Sequence, residues 1–272
     1  MPSLADHQSN DYVKLLLIGN AKTGKTGSLV SLAKAGYHLR VLDMDNLLDI
    51  LKYMIQHQAP EALPNVEFRT LRDKYKAGAV GAMIDGQPKA WISALKMLDS
   101  WKYDDTDLGK PSEWGPDCIL VVDSLSRLCD AAFDFHKAIN KNPDERSTYK
   151  NAQDDVERVL ATLTSSNYAT NVIVIAHVAY QHQPDGTMKG FPQGVGQALS
   201  PKIGQYFPSV VLYNNQGGKR TLQTNSTPLI DLANPAPFAM AKSYGIETGL
   251  AEFFAVLREP PKIETKPKLV KA

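Results

Sequence analysis

A chain of 272 residues with 43% hydrophobic side chains can bury a large core, as one α/β domain or a domain with an appendage. Its 30 basic and 29 acidic residues nearly cancel, so no global basic field announces a nucleic-acid partner and local patches must carry any such reading. Cys118 and Cys129 are too few for a disulfide framework and too far apart for a C-x-x-C site, and no apolar run reaches the length of a membrane span; a protein without membrane association, in a reducing cytoplasm, is expected.

Residues 1–11 are polar and read as a flexible tail before a domain over 12–258. Tyr12–Ile18 is an apolar strand. Gly19-Asn20-Ala21-Lys22-Thr23-Gly24-Lys25-Thr26 then satisfies G-x-x-x-x-G-K-[ST] in full, and a helical pattern over Lys25–Lys34 follows, ending at Ala35-Gly36. A strand before and a helix after is the context that a P-loop, or Walker A motif, requires. Gly19 and Gly24 permit dihedrals and a close approach that a side chain would block. The backbone N–H groups from Gly19 to Gly27 form an anion-binding concavity at a helix N-terminus, where the dipole also favours negative charge. Lys25 places a point charge on the outer phosphates, and the Thr26 hydroxyl is the expected magnesium ligand. ATP and Mg2+ are therefore the expected cofactors.

His38–Leu42 is a second strand, closing on Asp43-Met44-Asp45, and Asn46–Gln58 shows helical spacing at Leu47, Leu48, Leu51, Met54 and Ile55. Pro60 and Pro64 end it. Val66–Leu71 reads as a strand, the Gly-rich Lys74–Pro88 as a loop, Ala90–Trp101 as an amphipathic helix and Lys102–Asp117 as a polar surface loop. Cys118–Val122 is a continuous apolar strand ending at Asp123-Ser124, which suits a parallel sheet covered on both faces, with Cys118 as a small core residue. Leu125–Ala138 and Tyr149–Ser165 read as helices around a polar Asn140–Ser147. Asn171–Ala176 is a strand ending at His177, followed by a Gly- and Gln-rich loop over Ala179–Gly196. A short helix at Leu199–Phe207 precedes a hairpin of Ser209–Tyr213 and Lys219–Thr224 about the turn Asn214–Gly218. Residues 259–272, rich in Pro and Lys, read as a second flexible tail.

Alternating strands and helices predict right-handed βαβ units: an α/β fold with a mainly parallel twisted sheet, helices on both faces and a C-terminal antiparallel hairpin. Ligands of such sheets bind outside the carboxyl ends of the strands, where Thr26, Asp45, Asp123 and His177 all fall. Asp123 after its apolar run is the Walker B pattern, a carboxylate orienting magnesium with Thr26; its bland counterpart is an acidic strand cap. Asp43 and Asp45 are candidates to align a hydrolytic water, or N-caps of the next helix. His177 can hydrogen-bond the terminal phosphate or its water and pass the nucleotide state into the following loop. Lys25, Asp45, Asp123 and His177 thus form the candidate catalytic set.

These segments resemble RecA. Asp43-Met44-Asp45-Asn46-Leu47-Leu48-Asp49 is similar to its acidic strand-two end, with Asp45 in the place of the catalytic glutamate. Leu120-Val121-Val122-Asp123-Ser124-Leu125 looks like its Walker B strand. Ile173-Val174-Ile175-Ala176-His177 looks like its switch strand, with histidine where RecA has glutamine. That histidine, and Tyr149-Lys150-Asn151-Ala152-Gln153 with the following helix, resemble the phage-type RecA-like P-loop ATPases, which include core-only single-strand annealing proteins. The resemblance covers about residues 12–224. It implies an ATPase acting on single-stranded DNA in phage recombination, annealing or replication, cytoplasmic in the host cell. It further implies assembly as a homo-oligomeric ring or filament, and a single-strand binding protein as a possible partner. By the same resemblance Lys219 and Arg220 would act in trans on a neighbour's phosphates, their plain reading being solvated charge on a strand edge. DNA would meet the loops 136–150 and 179–196, through Lys141, Arg146, Lys189 and Phe191. Asp45 is one carbon shorter than glutamate, so slow hydrolysis or a different base is expected.

Other readings of the same motifs stay open: a KaiC-like ATPase acting on protein partners without DNA, and a nucleotide-gated annealing scaffold whose hydrolysis is vestigial. A small-molecule kinase is disfavoured by the lack of an arginine-rich lid after the long central helix.

Overall fold

The computed structural model describes residues 12–79, 81–140 and 144–258. Both expected tails and Lys141 lie outside them. In chain order the elements are β1 (Lys14–Gly19), α1 (Lys25–Ser28), α2 (Val30–Lys34), β2 (His38–Asp43), α3 (Asp49–Gln58), β3 (Val66–Thr70), β4 (Tyr75–Gly78), β5 (Gly81–Ile84) and α4 (Ala90–Asp99). There follow β6 (Lys102–Tyr103), β7 (Thr106–Asp107), β8 (Gly115–Asp123), α5 (Leu125–Ile139), α6 (Glu145–Thr164), β9 (Thr170–Ala176), β10 (Val178–His182), β11 (Met188–Pro192) and α7 (Gly196–Ile203). The last are β12 (Ser209–Gln216), β13 (Lys219–Gln223), β14 (Ser243–Gly245) and α8 (Gly249–Arg258).

An eight-stranded sheet in the order β14-β13-β12-β1-β9-β8-β2-β3 organises the described residues. From β12 to β3 every neighbouring pair is parallel, and β13 and β14 add antiparallel strands at one edge. Period-2 alternation then sorts the side chains. Leu15 and Leu17 of β1 join the core formed with α2, α3 and α8. Leu16 and Ile18 join the opposite core, with α4, α5, α6 and α7. β1 and β9 are buried throughout, as strands covered on both faces must be, each such Leu, Ile or Val contributing on the order of 1.5–3 kcal/mol. Lys14 is the charged exception, beside the buried polar Thr170 and Asn171 of β9. Its Nζ donates to the carbonyls of Tyr168 and Thr170 at 2.6 and 2.7 Å, and burial pushes its pKa down to about 7.

The expected α/β architecture and its edge hairpin are present, with local departures. Tyr75–Gly78 and Gly81–Ile84 pair as the hairpin β4–β5, with Gly78 opposite Gly81 as its last rung. Residues 178–192 form the hairpin β10–β11, turned by Pro184-Asp185-Gly186. β8 starts at Gly115, with a register shift between Gly115 and Ile119, which leaves Cys118 half-buried while Cys129 is buried. The expected helix at 25–34 is interrupted at Leu29. α3 begins at Asp49 because Asn46 stands in the left-handed region at φ 57°. α6 begins at Glu145, where the Asp144 carboxylate caps the Arg146 N–H at 3.1 Å.

Candidate nucleotide site

The P-loop leaves β1 at the sheet's carboxyl edge. A Cβ on Gly19 would stand 2.6 Å from the Tyr213 carbonyl oxygen, and one on Gly24, at φ 100°, would collide with Ile246 Cδ1; neither position takes a side chain. Thr23 Oγ1 donates to the Asn20 carbonyl at 2.9 Å, and Tyr213 OH donates to Ser28 Oγ at 2.6 Å, tying β12 to α1. Lys25 folds back on the loop: its Nζ donates to the Gly19 and Asn20 carbonyls at 2.8 Å each. Burial lowers its pKa to about 8, against the opposing pull of Asp123 and Asp45.

β9 lies between β1 and β8, so Asp123 faces the P-loop across one intervening strand. Thr26 Oγ1 donates to Asp123 Oδ2 at 2.6 Å. Asp123 is buried, and desolvation raises its carboxyl to about 6; the Thr26 hydrogen bond and Lys25 oppose that shift, while Asp45 and Asp43 add to it. The Asp123–Ser124 peptide is cis.

The two carboxylates at the end of β2, Asp43 and Asp45, have different partners. Asp43 Oδ1 accepts from the backbone N–H of Asp45 and Asn46 at 3.2 and 2.7 Å, and Oδ2 accepts from Thr70 Oγ1 at 2.7 Å. It holds the turn, and neither aspartate caps α3. Asp45 is left facing the site, its carboxylate 14% exposed and 3.4 Å from Arg127 Nε. Arg127 also binds Asp130 at 3.1 Å. His177 ends β9, where burial lowers its pKa; Lys25 and Arg127 act in the same direction, Asp45 and the Gly19 backbone against it. Ser126 Oγ accepts from the His177 N–H at 3.2 Å and donates to the Gln193 carbonyl at 3.4 Å, joining the end of β9 to the end of the β10–β11 hairpin.

Thr26, Lys25, Asp45, Asp123 and His177 are thus brought together. Arg127 and Ser126 belong with them and carry no sequence signal, since each acts through partners remote in the chain. Magnesium suits the donors present: a hydroxyl beside a carboxylate whose buried charge Thr26 and Lys25 offset only in part. Among the described residues no group of three or more His, Cys, Asp and Glu could hold a metal ion by itself. Arg146 is exposed at the start of α6, Lys189 is engaged by Asp231 at 2.9 Å, and Phe191 is half-buried on β11; no hydrogen bond or ion pair joins them to the P-loop. Lys219 and Arg220 are exposed on β13, opposite Gln216 and Asn215. No helix among the described residues is long and apolar enough to cross a membrane.

A P-loop at the end of a central parallel strand, facing a Walker B carboxylate across the neighbouring strand, defines the chain as a P-loop nucleoside triphosphatase by class. The family model for the AAA domain matches residues 11–234, and the chain belongs to that AAA domain family. No curated protein matches it. Among solved structures it is similar to a unique ATP synthase subunit, NeqB, from Nanoarcheaum equitans. The identity is 12%, over 74% of this chain and 45% of that one, with a TM-score of 0.38. The chain spans less than half of that subunit's length, and the likeness is too remote to bear on function.

Proposed function

We propose that this AAA-family P-loop domain binds ATP with magnesium and hydrolyses it slowly, as a RecA-like oligomeric ATPase acting on single-stranded DNA. The observation that carries the ATPase reading is the Thr26–Asp123 hydrogen bond at 2.6 Å with the Asp45 carboxylate beside it. Thr26 and Asp123 would hold magnesium, which when bound neutralises charge on the phosphates. Lys25 would turn from the loop carbonyls to the phosphates. Asp45, steadied by Arg127, would align the water and receive its proton. His177, neutral near pH 7 because burial lowers its pKa, would report the terminal phosphate through Ser126 to the β10–β11 hairpin.

The DNA part of the reading rests on that link, because the hairpin carries Tyr180, 44% exposed and free to stack on a base. A second reading, action on a protein partner, is favoured by a cavity of about 330 Å³ beside Arg127. Its lining sets the carboxylates Asp73, Asp130 and Asp134 against Arg72 and Arg127, a mixed-charge surface that suits a polar protein side chain better than a polyanion. The test is ATP turnover and single-strand DNA binding at low and high salt, with and without a non-hydrolysable ATP analogue. Analogue-dependent binding that weakens with salt supports the DNA reading. Turnover without binding at low salt moves the function to a protein partner.

A further inference from the structure

The edge of the sheet next to the P-loop carries a cation that the site described above does not use. Arg220 sits on β13 opposite Asn215, and the following strand places Gly245 beside Thr221, so that Ile246 emerges next to it. Both side chains reach the phosphate loop of their own chain. Ile246 Cδ1 occupies the space a Cβ on Gly24 would need, and Arg220 Cδ lies 3.4 Å from that same point. The Arg220 stem therefore rests on the second glycine of the P-loop while its guanidinium has no hydrogen bond or ion pair among the described residues.

The electrostatics ask for such a group. Asp43, Asp45 and Asp123 crowd the carboxyl edge, set against Lys25, Arg127 and Arg72; Arg127 is committed to Asp45 and Asp130, and Arg72 to the Asp45 carbonyl at 3.3 Å. A bound triphosphate adds several negative charges to those that the loop N–H groups, magnesium and Lys25 already have to balance. An arginine fork suits a phosphate bidentately and stays charged at every working pH.

We propose that Arg220 is a phosphate ligand acting in cis, on the nucleotide held by its own chain's P-loop, and not on that of a neighbouring subunit. This rests on the ATPase reading above. β13 and β14 are then part of the nucleotide site: the hairpin that closes the sheet's edge also closes the phosphate cradle. Gly24 is glycine both for its left-handed backbone and for the space that Ile246 takes over it.

The test mixes two variants. Arg220→Ala keeps an intact P-loop and Lys25→Ala keeps an intact Arg220. If Arg220 acted in trans, mixed assemblies would pair the sound P-loop of one with the sound arginine of the other and regain up to a quarter or so of wild-type turnover. Acting in cis, no mixed assembly contains a complete site, and the mixture shows no more turnover than its parts. Alongside, binding of a fluorescent ATP analogue to Arg220→Ala should be at least tenfold weaker than to wild type at every protein concentration down to the monomer, with partial rescue by Arg220→Lys. Because Arg220 is exposed, the variant should melt with the wild type, which separates binding from folding. Recovered turnover in the mixture, or wild-type analogue binding by Arg220→Ala, would overturn the proposal while leaving the ATPase reading in place. A wild-type chain that binds no nucleotide would overturn both.

Discussion

Thr26 Oγ1 donates to Asp123 Oδ2 at 2.6 Å, joining two residues 97 positions apart, the pair proposed to hold magnesium. The arrangement has a cost. Asp123 is buried among like charges and its pKa is raised from 3.8 to about 6, so its ionised form is disfavoured in the folded chain. For a raised carboxyl, the penalty is absent below the unfolded value, grows as pH rises through this window and is complete above about 6. Asp123→Asn is expected to stabilise the nucleotide-free protein at pH 7 by on the order of 1–3 kcal/mol. The same variant should lose the magnesium-dependent part of stabilisation by ATP. Denaturant unfolding with and without Mg-ATP measures both, and an unchanged nucleotide-free stability would contradict the burial argument.

The free protein's affinity for Mg-ATP should be bell-shaped in pH. Below about 6 Asp123 is protonated and magnesium loses a donor. Above about 8 Lys25, whose pKa burial depresses, loses the charge that meets the phosphates. The profile of kcat/KM reports these groups in the free enzyme. Asp123→Asn should remove the acid limb and leave the alkaline one.

Lys25→Ala should lower turnover by at least 10²–10³-fold, the scale for loss of one preorganised charge at a reacting phosphate. It also leaves the Gly19 and Asn20 carbonyls without their donor, which costs about 1–2 kcal/mol of stability where they are buried. Strand annealing, assayed on the same variant, should fall with turnover. Annealing that survives intact would instead favour the scaffold with vestigial hydrolysis.

Arg127→Ala releases Asp45 from its ion pair. Since the Arg127 side chain is 58% exposed, global stability should change by less than about 1 kcal/mol. The effect should appear in kcat, about tenfold lower, with KM little altered, because Arg127 positions a carboxylate and does not bind substrate. Equal loss in binding would place Arg127 on the nucleotide itself.

Ser126→Ala breaks the bridge between the His177 backbone and Gln193. Basal turnover should persist while any stimulation by single-stranded DNA disappears. Stimulation equal to wild type would mean that the β10–β11 hairpin is coupled to the site by another route.

The P-loop was legible in the sequence because its chemistry is local. Glycine dihedrals, consecutive N–H groups and a helix N-terminus all lie within Gly19–Gly27, so eight or nine adjacent residues suffice to state the cradle. The apolar strands ending at Asp123 and His177 were legible for a similar reason, since only strands buried on both faces carry such runs. The hairpins β4–β5 and β10–β11 were not, because short glycine-containing strands pair through their backbones and carry little side-chain periodicity. The different fates of the two carboxylates were decided by Thr70, 27 residues on, whose hydroxyl helps commit Asp43 to the turn while Asp45 pairs with Arg127. The pairing of Asp45 with Arg127, the Ser126 bridge and the Arg220 stem against Gly24 depend on the strand order β13-β12-β1-β9-β8-β2. That order is set by how the two cores pack on the sheet. Charge and hydrogen bonding at the site follow from neighbours that the fold, not the chain order, brings within a few ångströms.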